Sequence, residues 1–575
     1  MKKIKLSEIF TLANVKRVLA LAIALMMILT FVGCKKDPVT SSNGGSSEPS
    51  KVESVNSNSS SEDSSTGSSN KTNSSKIPST SSYIIDPLKG EISAEADVVG
   101  ADIRTDEGEK LPELDPSNLS AKYVGYAEKE RLALRDEILN TKNTLEYYKP
   151  SKNAKIYYVS PGGDNTNDGL SPETAIQTID GIYTLKIEEG DFVLFERNSI
   201  YRINEDFELK TGVRYGSYGE GRKPMILGSA KNFVEETWQP AEKANVWEIS
   251  YMYAYPCGVF INEGELYGSL RTSLRSLENN GDVYLDETTA TMYLYCDLGN
   301  PSKKWKSIEI SQNVGIFLPT GVNDIVVDNI CMRYMGDGGV YGNYNNNNFS
   351  VTNCEVGFTG GVSNGQVRFG NGIGTWVGGE RLYWDHNWVY QTWDSGMSPQ
   401  GNLGRQLFDY HDISMSNNLF EFNNADIEIW ESAEENPSKM YNYYMDNNIH
   451  RFTSLGWGTR PDDGGIRGID GVFYGHTENV NPNQIGGHFS WNNNIVDCPG
   501  RKIFSFTSFT SADYNAWERK GNTFYIKQSI KSLNDLIYFG LDDINSKISF
   551  APTNEADTIS AIKDIEPGAK VFWYE

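Results

Sequence analysis

The sequence predicts an all-β protein, a right-handed parallel β-helix solenoid with an N-terminal capping helix and a small inserted antiparallel β subdomain. Three observations predict it. First, one phrase recurs: IVVDNICMRYMG, FSVTNCEVGFTG, LYWDHNWVYQTW, ISMSNNLFEFNN, YYMDNNIHRFTS and FSWNNNIVDCPG. Second, apolar and polar residues alternate within each copy, the period of a strand and not of a helix. Third, an asparagine recurs at Asn329, Asn353, Asn387, Asn418, Asn448 and Asn494, at spacings of 24, 34, 31, 30 and 46 residues. A floor near one value with larger excursions describes stacked units that carry loop insertions of different length. Asparagine tolerates the left-handed region and bonds neighbouring backbone, so it suits a bend. Stacked in successive coils, its side chains form a ladder.

Composition bounds the rest. The 575 residues suffice for one long solenoid with appendages, and 54 Gly, 32 Tyr and 12 Trp fit a turn-rich, strand-built chain. The net charge of −24 opposes nucleic acid, whose phosphates it would repel. Of the six cysteines, Cys34 belongs to the leader described next. Cys331 and Cys354, beside the repeated asparagines, read as small buried fillers and not as a disulfide framework. No CxxC pair or HExxH occurs, so no dedicated zinc site is expected.

In chain order, residues 1–34 are a leader. Lys2, Lys3, Lys5, Lys16 and Arg17 precede the apolar run VLALAIALMMILTFVG, which ends at Cys34. The FVGC junction resembles a bacterial lipobox, which implies a lipid on Cys34 and a place on the outer face of the cell membrane. Residues 35–82 are Ser/Asn-rich without apolar periodicity and read as a disordered tether. Residues 83–150 form a cap segment, with a helix over Ser120–Leu145 expected to cover the open first coil. The solenoid proper runs over 151–575. Residues 232–312 interrupt it with alternating strands and turn signals such as NNGD and LGNP, an antiparallel insertion expected to wall a groove. Coils are expected to resume at Ile308 and to fade after Asn494. Asp164, Asn165, Asn167 and Asp168 offer oxygen ligands of the kind Ca2+ takes, but a tight turn is the commoner use of such residues.

Adjacent coils lie about 4.8 Å apart, so outward acids on neighbouring coils approach each other. QTWDSGMSPQG supplies Asp394; NADIEIWES supplies Asp426, Glu428 and Trp430, with Ile427 and Ile429 turned inward by alternation. Counted from the asparagines, the two segments are neighbours on one sheet. Two such carboxyls fall near the ~5–5.5 Å separation of a retaining glycosidase. Asp394 is the expected nucleophile and Glu428 the acid/base, with Asp426 the alternate. SLGWGTRPDDGG adds Trp457 as a sugar platform beside Trp430, with Arg460 and Asp462 as polar contacts; QVRFGNGIGTW adds Arg368 and Asn371.

KIYYVSPGGDNTNDGLSPETAIQTIDG and the GD-turn that follows resemble the opening of pectate-lyase-like β-helix proteins, a superfamily of secreted polysaccharide-active enzymes. RFGNGI, DSGMSPQG, IEIW and GWGTRPD are similar to β-helix glycoside hydrolases with an inserted β subdomain. The resemblance implies a carbohydrate-active protein whose Asp and Glu from neighbouring coils fall on Asp394 and Glu428. Two alternatives stand beside it. A calcium-assisted lyase acting on a uronate polymer would use Arg460, His411 or His450 as base or neutralising group. A non-catalytic glycan-binding solenoid would depend on no single acid. The expected partners are a saccharide and, through Cys34, the membrane; a monomer is expected.

Overall fold

The computed structural model describes residues 125–361, 363–364, 367–401, 410–431, 440–459, 471–477, 488–500, 502–506, 517–527, 537–539 and 568–574, with short strands at Ile85–Asp86 and Glu91–Ile92. The leader, Cys34 and the tether lie outside them. The chain winds through three parallel sheets in turn. The first has nine described strands, from Ile156–Val159 to Phe489–Ser490; the second has ten, from Ile200–Arg202 to Lys570–Tyr574; the third has nine, from Phe207–Glu208 to Ile537–Phe539. This is a parallel β-helix. Its interior is one apolar column, including Val327, Val351, Trp384, Met415 and Met445 from successive coils.

Three bends per coil use the left-handed region. Between the first and second sheets that position is Asn329, Asn353, His386, Asn417, Asn447 and Asn493, with φ of 65°, 53°, 53°, 57°, 60° and 55°. Asparagine takes this conformation more readily than other residues with a Cβ, which explains its recurrence. The ladder is the next residue along. Asn418 illustrates it: its Oδ1 accepts from Asn387 N at 2.8 Å, and its Nδ2 donates to Trp384 O at 2.9 Å. Asn448, Asn494 and Asn522 repeat the pattern, each gripping the coil before it. Asn329 and Asn353 are therefore not ladder residues. Strand register puts Ile330 and Cys354 in the ladder column, while Asn329 and Asn353 occupy the bend. Both roles select asparagine, and so the sequence phrase slides by one residue between early and late coils. Replacing buried Asn418 by Ala strands Asn387 N–H and Trp384 C=O, and is expected to cost about 2–4 kcal/mol in denaturant unfolding.

The antiparallel insertion is present, as two sheets over their own core of Phe233, Trp238, Ile249, Leu294 and Ile308. Ile308–Gln312 pairs antiparallel with Pro256–Ile261 and so belongs to the insertion; the coils resume at Gly315–Leu318. After Asn494 the chain adds closing coils. Lys502–Phe506, Thr523–Lys527, Ile537–Phe539 and Lys570–Tyr574 continue the sheets, and Asn522 extends the ladder.

The helix of the cap segment, Glu128–Leu139, lies lengthwise along the outer face of the second sheet, so it covers a flank of several coils. Its approach is bonded to late coils, through Tyr126 N and Ala127 N to Asp497 at 2.9 and 3.1 Å. Its exit is bonded to early ones, through Thr144 Oγ1 to Asp328 at 2.7 Å. It covers one side-chain column that runs Arg333, Gly357, Tyr390, Glu421, Arg451, Asp497. A solenoid flank carrying buried charge needs such a cover, because apolar alternation was sacrificed there.

Beneath the exit of this strap Lys223 is 3 % exposed, with Nζ 2.5 Å from Thr141 Oγ1 and also bonded to Asn329 Oδ1. Burial, and then the nearby Arg197, push its pKa from 10.5 down to about 7. Between those two values the unfolded chain holds the proton and the folded chain does not, so stability from this site rises with pH across that window. Below about 7 both states carry it and the full penalty applies. The parent chain should gain stability from pH 7 to 10 relative to Lys223→Met, measured as the difference between their unfolding free energies.

Candidate active site

Asp394 lies where the second sheet turns into the third, and Glu428 lies within the third-sheet strand of the next coil. The insertion, the hairpin Ser363–Asn364/Val367–Arg368 and the turn Trp457–Thr459 all enter at this same corner in different coils. They are packed together. Trp457 lies 5.0 Å from the insertion's Phe260 and 4.7 Å from Trp393, ring centre to ring centre. Arg368 places its guanidinium 4.4 Å from the Trp393 ring centre and donates to Gly458 O. Asp394 follows Trp393 directly. The insertion thus abuts the corner that carries the acid.

Ser395–Pro399 pairs in parallel with Ala425–Glu431, with Ser395 opposite Ala425 and Met397 opposite Ile427. Glu428 therefore stands opposite Ser398. Counting from the asparagines predicts Asp394 opposite Ala425, so the true register is shifted by one. Glu428 bends back along its neighbour: its Oε2 accepts from Ser395 Oγ at 2.5 Å and from Ser398 Oγ at 3.2 Å. Asn371 Oδ1, one coil earlier, accepts from Ser395 N at 3.2 Å. Asp394 and Glu428 are 3 % and 2 % exposed. A carboxylate withdrawn from water to that degree is costly unless its surroundings hold the charge, and such acids concentrate at working sites.

Other expected site residues fare differently. Asp426 does not share the outward face of Glu428. It is fully buried, bonded to His450 Nδ1 at 3.1 Å, Thr453 Oγ1 at 2.5 Å and Asn423 Nδ2 at 3.0 Å. Its column holds Gly396 one coil back, whose missing side chain leaves room beside Phe420. His450 itself is stacked between Phe420 and Trp491 at 5.0 Å from each, inside the solenoid. Period-two alternation fails here because the strand begins at a bend, so consecutive residues Asp426 and Ile427 both turn inward. This removes Asp426 as alternate acid and His450 as a base. Trp457 is 1 % exposed and is packing between insertion and coil, not a platform. Arg368 is spent on Trp393 and Gly458, so it braces the corner. Trp430 remains on the outer face, two residues from Glu428 and partly exposed. Arg460 and Asp462 lie outside the described residues. The 164–168 segment works as a turn: Asp164 Oδ1 accepts from Thr166 N at 2.8 Å and Asp168 Oδ1 from Leu170 N at 3.0 Å. Among the described residues no group of three or more His, Cys, Asp or Glu is placed to hold a metal ion.

The sequence reading missed Ser395 and Ser398, which hold Glu428, and Tyr341, which stacks on Trp376 on the same outer face. Ser398 follows the inward Met397 in DSGMSP and faces outward by alternation, whereas Ser395 sits at the bend, where alternation gives no signal.

No family model matches the chain, and no curated protein does. Among solved structures, XylC in complex with xylose is 12% identical, over 73% of this chain and 82% of that one, with a TM-score of 0.34. A glycoside hydrolase is 10% identical over 70% and 99% of the two chains, TM-score 0.35. A rhamnogalacturonan lyase is 9% identical over 65% and 74%, TM-score 0.26. Likenesses this faint leave the chemistry to the site itself.

Proposed function

We propose that this chain is a carbohydrate-active β-helix protein, and that it hydrolyses a glycosidic bond of a plant-type polysaccharide or oligosaccharide with Asp394 and Glu428. One observation carries the reading: Ser395, the residue after Asp394, bonds Glu428 of the next coil, and both acids are buried. Asp394 is the nucleophile toward the anomeric carbon. Glu428 protonates the departing oxygen and then deprotonates the water that releases the sugar. Ser395 and Ser398 orient Glu428, Asn371 fixes the Ser395 backbone, and Trp430 offers an aromatic face to a ring. The lyase alternative loses His450 to the core. His411 is bonded to Asp412 and stacked on Tyr441, and Arg460 lies outside the described residues. Lipid attachment at Cys34 would hold the enzyme, as a monomer, on the outer face of the cell membrane.

The test is incubation of the chain from Ser82 onward with xylan, pectin, polygalacturonate and alginate, with calcium and with chelator. Reducing ends without ultraviolet absorbance support hydrolysis. Calcium-dependent absorbance from a new double bond supports a lyase, and binding without either signal supports a glycan-binding solenoid.

A further inference from the structure

Each of the three sheets has an outer face, and two are in use. The strap helix lies along the second, and the third carries Glu428. Over the early coils of the first sheet passes the chain that leaves the strap, where Tyr148 Oη meets Thr352 Oγ1 at 3.1 Å. In the coils beyond, the face opens. Alternation turns Leu382, Trp384, Ile413, Met415 and Tyr443 into the core and leaves their neighbours outside. Strand register places Ser350, Tyr383, Ser414, Tyr444 and Ser490 in one column through successive coils. Tyr383 is 55 % exposed and Tyr444 39 %. Two coils separate them, roughly 10 Å at the usual strand spacing, with the small Ser414 between.

The surroundings of the two rings are ordered. His488 packs on Tyr444, ring centres 5.7 Å apart. In the neighbouring column His411 and Tyr441 stack at 4.6 Å with planes 8° apart, and His411 is held by Glu380 and Asp412 at 2.8 Å each. On the other side, two residues along from each tyrosine, come Asp385 and Asp446. Aromatic rings bordered by carboxyls match the two contacts a sugar offers, an apolar ring face and a rim of hydroxyls. The border sets four carboxyls, Glu380, Asp385, Asp412 and Asp446, against the cations Arg381 and Lys520. That balance suits a neutral chain better than a polyuronate.

We propose that this strip is a second glycan site, on a different sheet from the acids, which holds a flat, extended, neutral β-1,4-linked polysaccharide along the solenoid axis. In such a chain successive rings are turned over, so one face recurs at every second unit, and a unit advances by about the height of one coil. Every second ring therefore meets a tyrosine. The rigid sheet fixes the spacing, so the second contact adds to the first without new ordering. A coiled, α-linked glycan does not reach both rings. The site needs no cleavage and stands apart from the hydrolase reading.

The experiment measures depletion isotherms of the chain, in the cold, on microcrystalline cellulose, insoluble xylan and granular starch. At least one of the first two should be bound at least about tenfold more tightly than starch, and excess polygalacturonate should not displace it. The double variant Tyr383→Ala/Tyr444→Ala should weaken that binding at least about tenfold, the scale of a lost ring contact. Tyr383→Phe/Tyr444→Phe should keep most of it, and Trp430→Ala should leave it in place. Thermal unfolding checks each fold, and turnover of a short soluble oligosaccharide should not change in the tyrosine variants. Neither β-1,4-linked polymer bound, starch bound as tightly, displacement by polygalacturonate, or binding that survives without both tyrosines or is lost with Trp430 would each overturn the proposal. Failure of the hydrolase reading shows separately, as polymer binding without turnover.

Discussion

Glu428→Gln is expected to lower turnover of an unactivated oligosaccharide by about 10²–10⁴-fold, the usual contribution of a positioned acid/base group. The loss should depend on the leaving group. A sugar alkoxide needs a proton from Glu428 to depart, whereas an aryl glycoside with a good leaving group does not, so the first step on the aryl substrate should survive. Glutamine keeps the acceptor oxygen that Ser395 and Ser398 bond, so binding and folding should change little. Asp394→Asn removes the nucleophile and should abolish both reactions, whatever the leaving group. Steady-state rates on the two substrate types separate these roles. Asp426→Asn should instead act on stability, because that acid is bonded to His450 and Thr453 in the core.

The second large effect is on folding. Arg451 is 3 % exposed and joins three acids: Nη1 lies 2.5 Å from Glu421, Nε lies 3.1 Å from Asp497, and Nη2 bonds Glu128 of the strap helix. Burial alone would lower its pKa, but Glu421, Glu128 and Asp497 outweigh that and hold it raised. Glu421 is also gripped by Arg131 at 3.0 Å through both nitrogens and by Trp388 Nε1 at 2.9 Å. Arg451→Ala strands Asp497 without its cation and leaves Glu421 with one. Breaking a buried pair by removing one partner costs about 3–5 kcal/mol, and here the strap helix also loses one of its bonds, that of Glu128 to Arg451. Denaturant unfolding should show that loss, and protease should cut near Gly125 faster. An Arg451→Lys chain should recover only part of it, since an ammonium cannot reproduce the forked bonds.

Much of the architecture was legible because it is repetitive. Alternation and the recurrent asparagine are each dictated by a local requirement, a two-faced strand and a left-handed bend, and local requirements leave marks in sequence. The ladder offset was hidden because bend and ladder sit on adjacent residues and both favour asparagine: only Cys354 and Ile330, in the ladder column of early coils, separate them. Ile308–Gln312 has the alternation of a coil strand, and nothing local says that its partner is Pro256–Ile261 in antiparallel. For the site, the segment of Asp394 and that of Glu428 were found as neighbours, since coil spacing is short range. Asp426 was misplaced because period-two alternation holds within a strand but not through the bend at its start. Trp457 and Arg368 were misread as ligand contacts because their partners, Phe260 of the insertion and Trp393 of another coil, are remote in sequence, and residue type alone does not distinguish a platform from a wedge.

The most direct test of the two-carboxylate account is the anomeric configuration of the first-formed product, followed by NMR at early time on the best neutral substrate. Retention is the predicted result, because Asp394 attacks opposite the leaving group and water then displaces Asp394 from the face the leaving group left, two inversions that restore the configuration. Inversion would contradict the account: it would place a water between the carboxyls and make Asp394 a base instead of a nucleophile.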